Sequence, residues 1–252
     1  MSLFYRLLLA HIIADFPLQT KQIFNIKMNT EWGVILHTFI VLIFSILFTF
    51  PYLENLKVIA VLLIIFLSHT VLDKLKLKHS KKTSTPSLKI FLIDQVLHIS
   101  IIAILTFTFT EKVLLTFPFN NVFLSYLIDL YNNDIFIIYL IGYIITVFLI
   151  PILLIYIKEE DILFEPEKLN KQKLIKIKIP VNKTVDKFYR LFLTLSTQYL
   201  DEQYIIVIFI LFVIVSFISY QASPERIVKV YNLKRIINTS LAIFIGIVLK
   251  MF

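Results

Sequence analysis

The sequence predicts an all-α fold, a polytopic helical membrane protein with about six or seven transmembrane helices. Three observations predict it. Of 252 residues, 58% are hydrophobic, and 24 Phe stand against only 3 Gly, a balance that leaves too little polar surface for a soluble domain of this size. The apolar residues gather in runs that reach or approach the roughly 20 residues a helix needs to cross a hydrocarbon core. Cysteine is absent, which removes disulfides, thiolate metal ligands and cysteine nucleophiles together.

Seven apolar segments follow one another along the chain. The first, 3–16, is short for a full span and ends at Pro17, so it reads as tilted, partly re-entrant or shielded by neighbours. Its stretch MSLFYRLLLAHIIADF has no small-residue cleavage site after it and is expected to be retained. The second segment, 33–50, stops at Pro51, and the third covers 57–73. A loop holding Lys74, Lys76, Lys78, Lys81, Lys82 and Lys89 precedes the fourth segment, 88–109. Residues 121–131 read as a short interfacial helix before the fifth segment, 135–157. The last two segments are 204–220 and 236–252.

Grouped by role, residues 1–110 form a four-helix membrane core, and 111–157 an external connection with the fifth span. Residues 158–203 form a cytoplasmic or interfacial insert, and 204–252 the C-terminal membrane helices. Within the insert, KLIKIKIPV alternates at the period of a strand, and DKFYRLFLTLSTQYL reads as an amphipathic helix on the membrane surface. This insert is scaffold or a surface for a protein partner rather than a catalytic centre.

Lysine and arginine set the orientation. The 74–89 loop and the 158–203 stretch, with nine basic residues, both belong in the cytoplasm, and two spans separate them. The 110–134 loop, with Lys112 alone, falls outside. The 221–235 loop dissents, because Arg226, Lys229, Lys234 and Arg235 would be external. The net charge of +8 reflects orientation and contact with anionic lipid headgroups, so membrane lipid is the expected partner and nucleic acid is not.

Ionisable residues inside apolar helices are expensive, and each is a functional-site hypothesis. Three His–Asp pairs occur at helical i,i+4 spacing: His11/Asp15, His69/Asp73 and, reversed, Asp94/His98, with His37 a fourth position. His11 and Asp15 close the first segment, and His37 opens the second. His69 and Asp73 close the third, and Asp94 and His98 open the fourth. Ends and starts of consecutive spans share one membrane face, so all seven groups lie at similar depth. LLLAHIIADF with VILHTFIVLIF also parallels IFLSHTVLDK with QVLHISIIAIL, which reads as a duplicated helical hairpin of parallel polarity.

Imidazole and carboxylate without thiolate suit a divalent transition metal, zinc first, with manganese and iron as alternatives. The candidate ligands are His11, Asp15, His37, His69, Asp73 and His98. Asp94 is the candidate general base, with Gln95 and Gln19 positioning water or substrate. The excess over three ligands leaves room for a second metal or for groups that orient the ligating imidazoles. His79, in the lysine loop, is expected to be a solvated bystander. No glycine-rich phosphate loop, H-E-x-x-H or G-x-S-x-G occurs, and five histidines are too few for the histidine boxes of membrane di-iron oxygenases.

H-x3-D-F-x2-Q at 11–19, His37, H-x3-D at 69–73 and D-Q-x2-H at 94–98 together resemble a bacterial membrane-protein family, domain of unknown function 3307, over roughly residues 3–106. The resemblance implies a multi-span inner-membrane protein and brings no established activity. Where family members often carry L-E-R, this chain reads Phe188-Tyr189-Arg190, so no role is carried over there. The chemistry favours a metal-dependent hydrolase acting on a lipid or lipid-linked ester, amide or phosphate at the cytoplasmic leaflet. Two alternatives stand beside it: a proton- or metal-ion-coupled transport or channel component, and a non-enzymatic membrane subunit.

Overall fold

The computed structural model describes residues 1–83, 88–116, 121–155, 183–200, 214 and 226–252. All regular structure among them is helical. The chain divides into two compact units, Met1–Ile144 and Ile145–Phe252.

The first unit begins with α1 (Ser2–Asp15), whose helix stops just before Pro17. A helix absent from the sequence reading follows, α2 (Lys21–Asn29), and α3 (Glu31–Phe48) comes directly after it. Two threonines explain this corner. Thr20 Oγ1 accepts from the Ile23 N–H, while Thr30 closes α2 and then caps α3 by accepting from the Gly33 N–H at 3.0 Å. A 3-10 turn at Phe50–Tyr52 leads into α4 (Leu56–Thr83), followed by α5 (Leu88–Thr106), α6 (Val122–Asn132) and α7 (Asp134–Ile144). The short helix expected at 121–131 is thus α6, with Asn121 as its N-cap.

Among the described residues, four helices are long and apolar enough to cross a membrane: Glu31–Phe48, Leu56–His79, Leu88–Thr106 and Asp134–Leu154. Their outward faces leave Leu36, Phe39, Ile43, Leu63, Leu67 and Leu97 exposed, as lipid-facing side chains are. Helix α1 has only 14 residues. The predicted lysine loop is corrected: residues 74–83 continue α4, so Lys74, Lys76 and Lys78 lie on a helix. His79 is on that helix too, with an exposed side chain.

An apolar core fills one end of this unit, where Leu3 and Leu7 of α1 meet Tyr52, Val58, Val61, Leu62 and Ile65, with Ile102 of α5. Arg6, fully buried, ties α1 to the α6–α7 corner: it donates to the Tyr131 carbonyl at 2.8 Å and lies 4.4 Å from the Tyr131 ring. The His and Asp residues of α1, α4 and α5 lie towards the other end of the same helices.

The second unit opens with a π turn at Ile145–Leu149, then α8 (Ile150–Ile155), α9 (Lys183–Tyr199) and α10 (Arg226–Lys250). Pro151 accounts for the π turn, since it offers no N–H to the carbonyls of the preceding turn. Arg190 on α9 serves two of them instead: Nε donates to the Thr146 carbonyl at 3.1 Å and Nη2 to the Val147 carbonyl at 3.4 Å. The amphipathic helix expected near 186–200 is α9, and it packs closely on α10. A Cβ at Gly246 of α10 would meet the Thr194 carbonyl and the Thr197 side chain, so glycine is what allows that approach. The 221–235 loop is corrected over 226–235, which is helical and continuous with the last apolar segment. The strand-like 173–181 stretch and, apart from Ile214, the 204–220 span lie outside the described residues.

Gly33 sets the position of α2. A Cβ there would collide with the Ile26 carbonyl group and the Lys27 nitrogen, which are backbone and cannot rotate away. Gly33→Ala is expected to push α2 off α3 and lower stability by about 1–3 kcal/mol. Thermal unfolding in detergent checks this, and an unchanged midpoint would show that the corner tolerates a side chain.

Candidate metal centre

The four helices α1, α3, α4 and α5 bring His11, Asp15, His37, His69, Asp73, Asp94 and His98 together inside the first unit. Side chains four apart share a helix face, so each His–Asp pair turns inward as one. All four imidazoles, Asp73 and Asp94 are buried, and the Asp15 side chain is 10% exposed.

Asp15 is the hub. Its Oδ1 lies 3.2 Å from His37 Nε2, 3.6 Å from His69 Nε2 and 3.8 Å from His11 Nδ1, and its Oδ2 accepts from Gln95 Nε2 at 3.2 Å. Asp73 Oδ2 stands 3.7 Å from His37 Nε2 and 3.5 Å from His69 Nε2. A tetrahedral ion about 2.0–2.2 Å from each donor would separate neighbouring donors by roughly 3.3–3.6 Å. The four cross-distances, 3.2, 3.6, 3.7 and 3.5 Å, lie around that edge length.

Three overlapping triads have ligand atoms within 4.8 Å of one another: His11–Asp15–His69, His37–His69–Asp73 and Asp73–Asp94–His98. These groups can hold a metal ion. The imidazoles form a continuous cluster, with ring centroids 4.0 Å apart for His69 and His98, 5.1 Å for His11 and His98, and 5.4 Å for His37 and His69. Both ring nitrogens of His11, with His37 Nδ1, His69 Nε2 and His98 Nε2, are buried without a well-formed hydrogen bond. Buried polar atoms left in that state normally mark a partner still to be supplied.

His98 has a defined tautomer. Its Nδ1 is 2.7 Å from the backbone carbonyl of Asp94, a group that only accepts. The proton therefore sits on Nδ1, so that in the neutral ring Nε2 is the nitrogen left to face the cluster with a lone pair.

Two lysines belong to the site that sequence reasoning did not assign to it. Lys27 on α2 places Nζ 2.6 Å from Asp73 Oδ2, and Lys76 on α4 places Nζ 2.6 Å from Asp94 Oδ2. The sequence places Lys76 in a loop and Lys27 in a connection without an element, whereas they lie on α4 and α2. The available signals were Thr20 and Thr30 as caps around KQIFNIKMN, and the i,i+3 spacing of Asp73 and Lys76 on one helix. Gln95 bridges Asp15 and Asp94, its Nε2 donating to Oδ2 of each at 3.2 Å. Gln19 lies half-buried in the turn after α1 and, among the described residues, makes no hydrogen bond or ion pair with the cluster.

The lysines sort the carboxylates. Asp73 and Asp94 each have an ammonium partner, whereas Asp15, among the described residues, has only imidazoles and an amide. With neutral imidazoles the cluster carries one negative charge in excess, centred on Asp15. Burying that charge uncompensated is costly, so this is where a cation is best accommodated.

The Lys27–Asp73 pair is buried, with side chains 7% and 2% exposed. Asp73→Asn would leave the Lys27 ammonium without its partner and is expected to cost about 3–5 kcal/mol. Adding Lys27→Met should restore most of that loss. A double-mutant cycle on unfolding in detergent measures it, and additive losses would show that the two side chains are not coupled.

No curated protein and no solved structure matches the chain significantly. Residues 3–124 match the family model described as a protein of unknown function, DUF3307. That stretch holds α1 to α5, and with them every residue of the cluster and both lysines. Over residues 3–124, just under half of the chain, the sequence is similar to this family of unknown function, DUF3307.

Proposed function

We propose that the protein is a multi-pass protein of a bacterial inner membrane, with a metal-dependent hydrolase site facing the cytoplasmic leaflet. The observation that carries this reading is the buried set of three overlapping His–Asp triads, each with its ligand atoms within 4.8 Å of one another, in which four His–Asp separations among His37, His69, Asp15 and Asp73 lie near the edge length of a tetrahedral site. His37, His69 and Asp15 are the ligands, and the ion is zinc, with manganese or iron as alternatives. Asp73, paired with Lys27 and 3.5 Å from His69 Nε2, would stand beside that ion as a proton acceptor. When bound, the metal supplies an acidified water.

The remaining residues orient and move protons. His98 Nε2 and the carboxylates of Asp73 and Asp94 are the acceptors for the proton that water gives up. His11 backs His69 and Asp15, and Gln95 holds Asp15 and Asp94 in register. The substrate is a lipid or lipid-linked molecule, because the cluster is surrounded by helices whose outer faces are apolar. Exposed Trp32, Phe24 and Ile26 beside the corner of α2 and α3 suit the interfacial region of a bilayer.

Purified protein, kept free of chelators, is expected to hold one equivalent of transition metal by elemental analysis. Asp15→Ala combined with His69→Ala should lose it. Absence of stoichiometric metal in the parent protein, or full retention in the double variant, would overturn this reading. A second reading rests on the continuous row of imidazoles, which suits a proton relay. It requires proton or metal-ion flux in liposomes that disappears on Asp73→Asn.

A further inference from the structure

Among the described residues, Lys27 and Lys76 are the two cationic side chains that touch the cluster, and both approach through carboxylates. Each lies 2.6 Å from an aspartate oxygen. Lys27 comes from α2, the short helix held against α3 at Gly33, and its side chain is 7% exposed. Lys76 comes from the last turns of α4, is 27% exposed, and lies 5.5 Å from the Phe91 ring. They thus reach the cluster from two different elements.

Charge decides what kind of molecule this arrangement receives. Three carboxylates and two ammoniums leave one negative charge, and a divalent ion on Asp15, His37 and His69 would turn that into one positive charge. A buried site with a net positive charge favours a ligand that brings one negative charge. A neutral ester or amide leaves the imbalance in place, whereas a singly ionised phosphate group removes it. Lysine is also a common phosphate binder, acting as a compact point charge with three donors.

We propose that the site binds the phosphate group of a phosphate ester, with Lys27 and Lys76 as the positioning residues that receive its oxygens. This rests on the metal reading above and narrows its substrate class from ester, amide or phosphate to phosphate. In the reaction, the oxygen of water bonds to phosphorus as the phosphorus–oxygen bond to the alcohol breaks. The proton taken from that water passes to the departing alkoxide, so the products are an alcohol and a phosphate. Each ammonium would share its hydrogen bonds between its aspartate and a phosphate oxygen.

The charge argument makes an unusual demand on the lysine variants. Lys27→Met and Lys76→Met each remove a positive charge next to metal-ligating or neighbouring carboxylates. Metal affinity should therefore stay the same or rise, while phosphate affinity falls by about tenfold or more, as expected for loss of a charged hydrogen bond. A lysine that only supports the fold would weaken both together. Lys27→Arg, keeping the charge, should restore phosphate binding.

The test uses the full chain in detergent, loaded with zinc, and two probes followed by calorimetry: inorganic phosphate, and phosphatidic acid in mixed micelles. Binding of both, weakened by either Met variant with zinc content retained, supports the proposal. Tighter binding of phosphatidic acid would assign the phosphate to a lipid headgroup, and equal binding to a soluble phosphate compound. Zinc uptake without binding of either probe, or binding that neither Met variant weakens, overturns the phosphate assignment alone. Failure to take up zinc overturns the metal reading as well.

Discussion

The N-terminal unit depends on the neutralisation of three aspartates inside a group of apolar helices. An isolated carboxylate there would be prohibitively expensive to keep ionised, so each must find a partner from another part of the chain. Asp73 on α4 takes Lys27 from α2, Asp94 on α5 takes Lys76 from α4, and Asp15 on α1 takes imidazoles from α3 and α4. The pairings therefore link α1 to α3 and α4, α2 to α4, and α4 to α5. The polar cluster and the apolar core around Leu3, Leu7 and Val58 hold opposite ends of the same helices. The helices are positioned by hydrophobic packing at one end and by charge at the other.

How far this was legible in the sequence follows from which signals are local. The i,i+4 spacing of His11/Asp15, His69/Asp73 and Asp94/His98 needs only helix geometry, and the alternation of segment ends and starts needs only chain connectivity. Both placed the seven groups at one level, and their side chains do converge. Lys27 was not legible, because its position depends on α2 lying against α3, and that approach depends on the missing side chain of Gly33. Lys76 was hidden by a boundary error. Hydropathy falls at Lys74, but α4 runs on to Thr83, since lysine is a good helix former and Asp94 rewards the extra turn.

The C-terminal unit obeys the same accounting with backbone groups in place of carboxylates. Pro151 withholds an N–H where the Thr146 and Val147 carbonyls would look for one, and the buried Arg190 guanidinium supplies donors from α9. The sequence reading assigned Arg190 no role, because Phe188-Tyr189-Arg190 lacks the acidic residue of the comparable family motif. Its position shows why an arginine is useful there whatever precedes it: a planar group with several donors can serve two carbonyls one residue apart. Neither Pro151 nor Arg190 announces the other in the sequence, as some forty residues separate them and only the fold joins them.

The distribution of bases among the three aspartates carries the functional argument furthest. Had Asp15 also faced a lysine, the cluster would be neutral and the imidazoles would need no cation. Instead, the aspartate contacted by three imidazoles is the one without an ammonium. Lysine is a poor companion for a metal ligand, since a fixed positive charge opposes the ion, whereas a neutral imidazole can donate its lone pair to it. Placing the lysines on Asp73 and Asp94 leaves Asp15, with His37 and His69 beside it, as the part of the cluster that could hold an ion. His98 extends the same logic. Its proton is committed to a backbone carbonyl of its own helix, so the nitrogen turned towards the cluster is available as a base. A group of buried polar residues chosen only to hold helices together would satisfy its own hydrogen bonds, whereas here five imidazole nitrogens are buried without one.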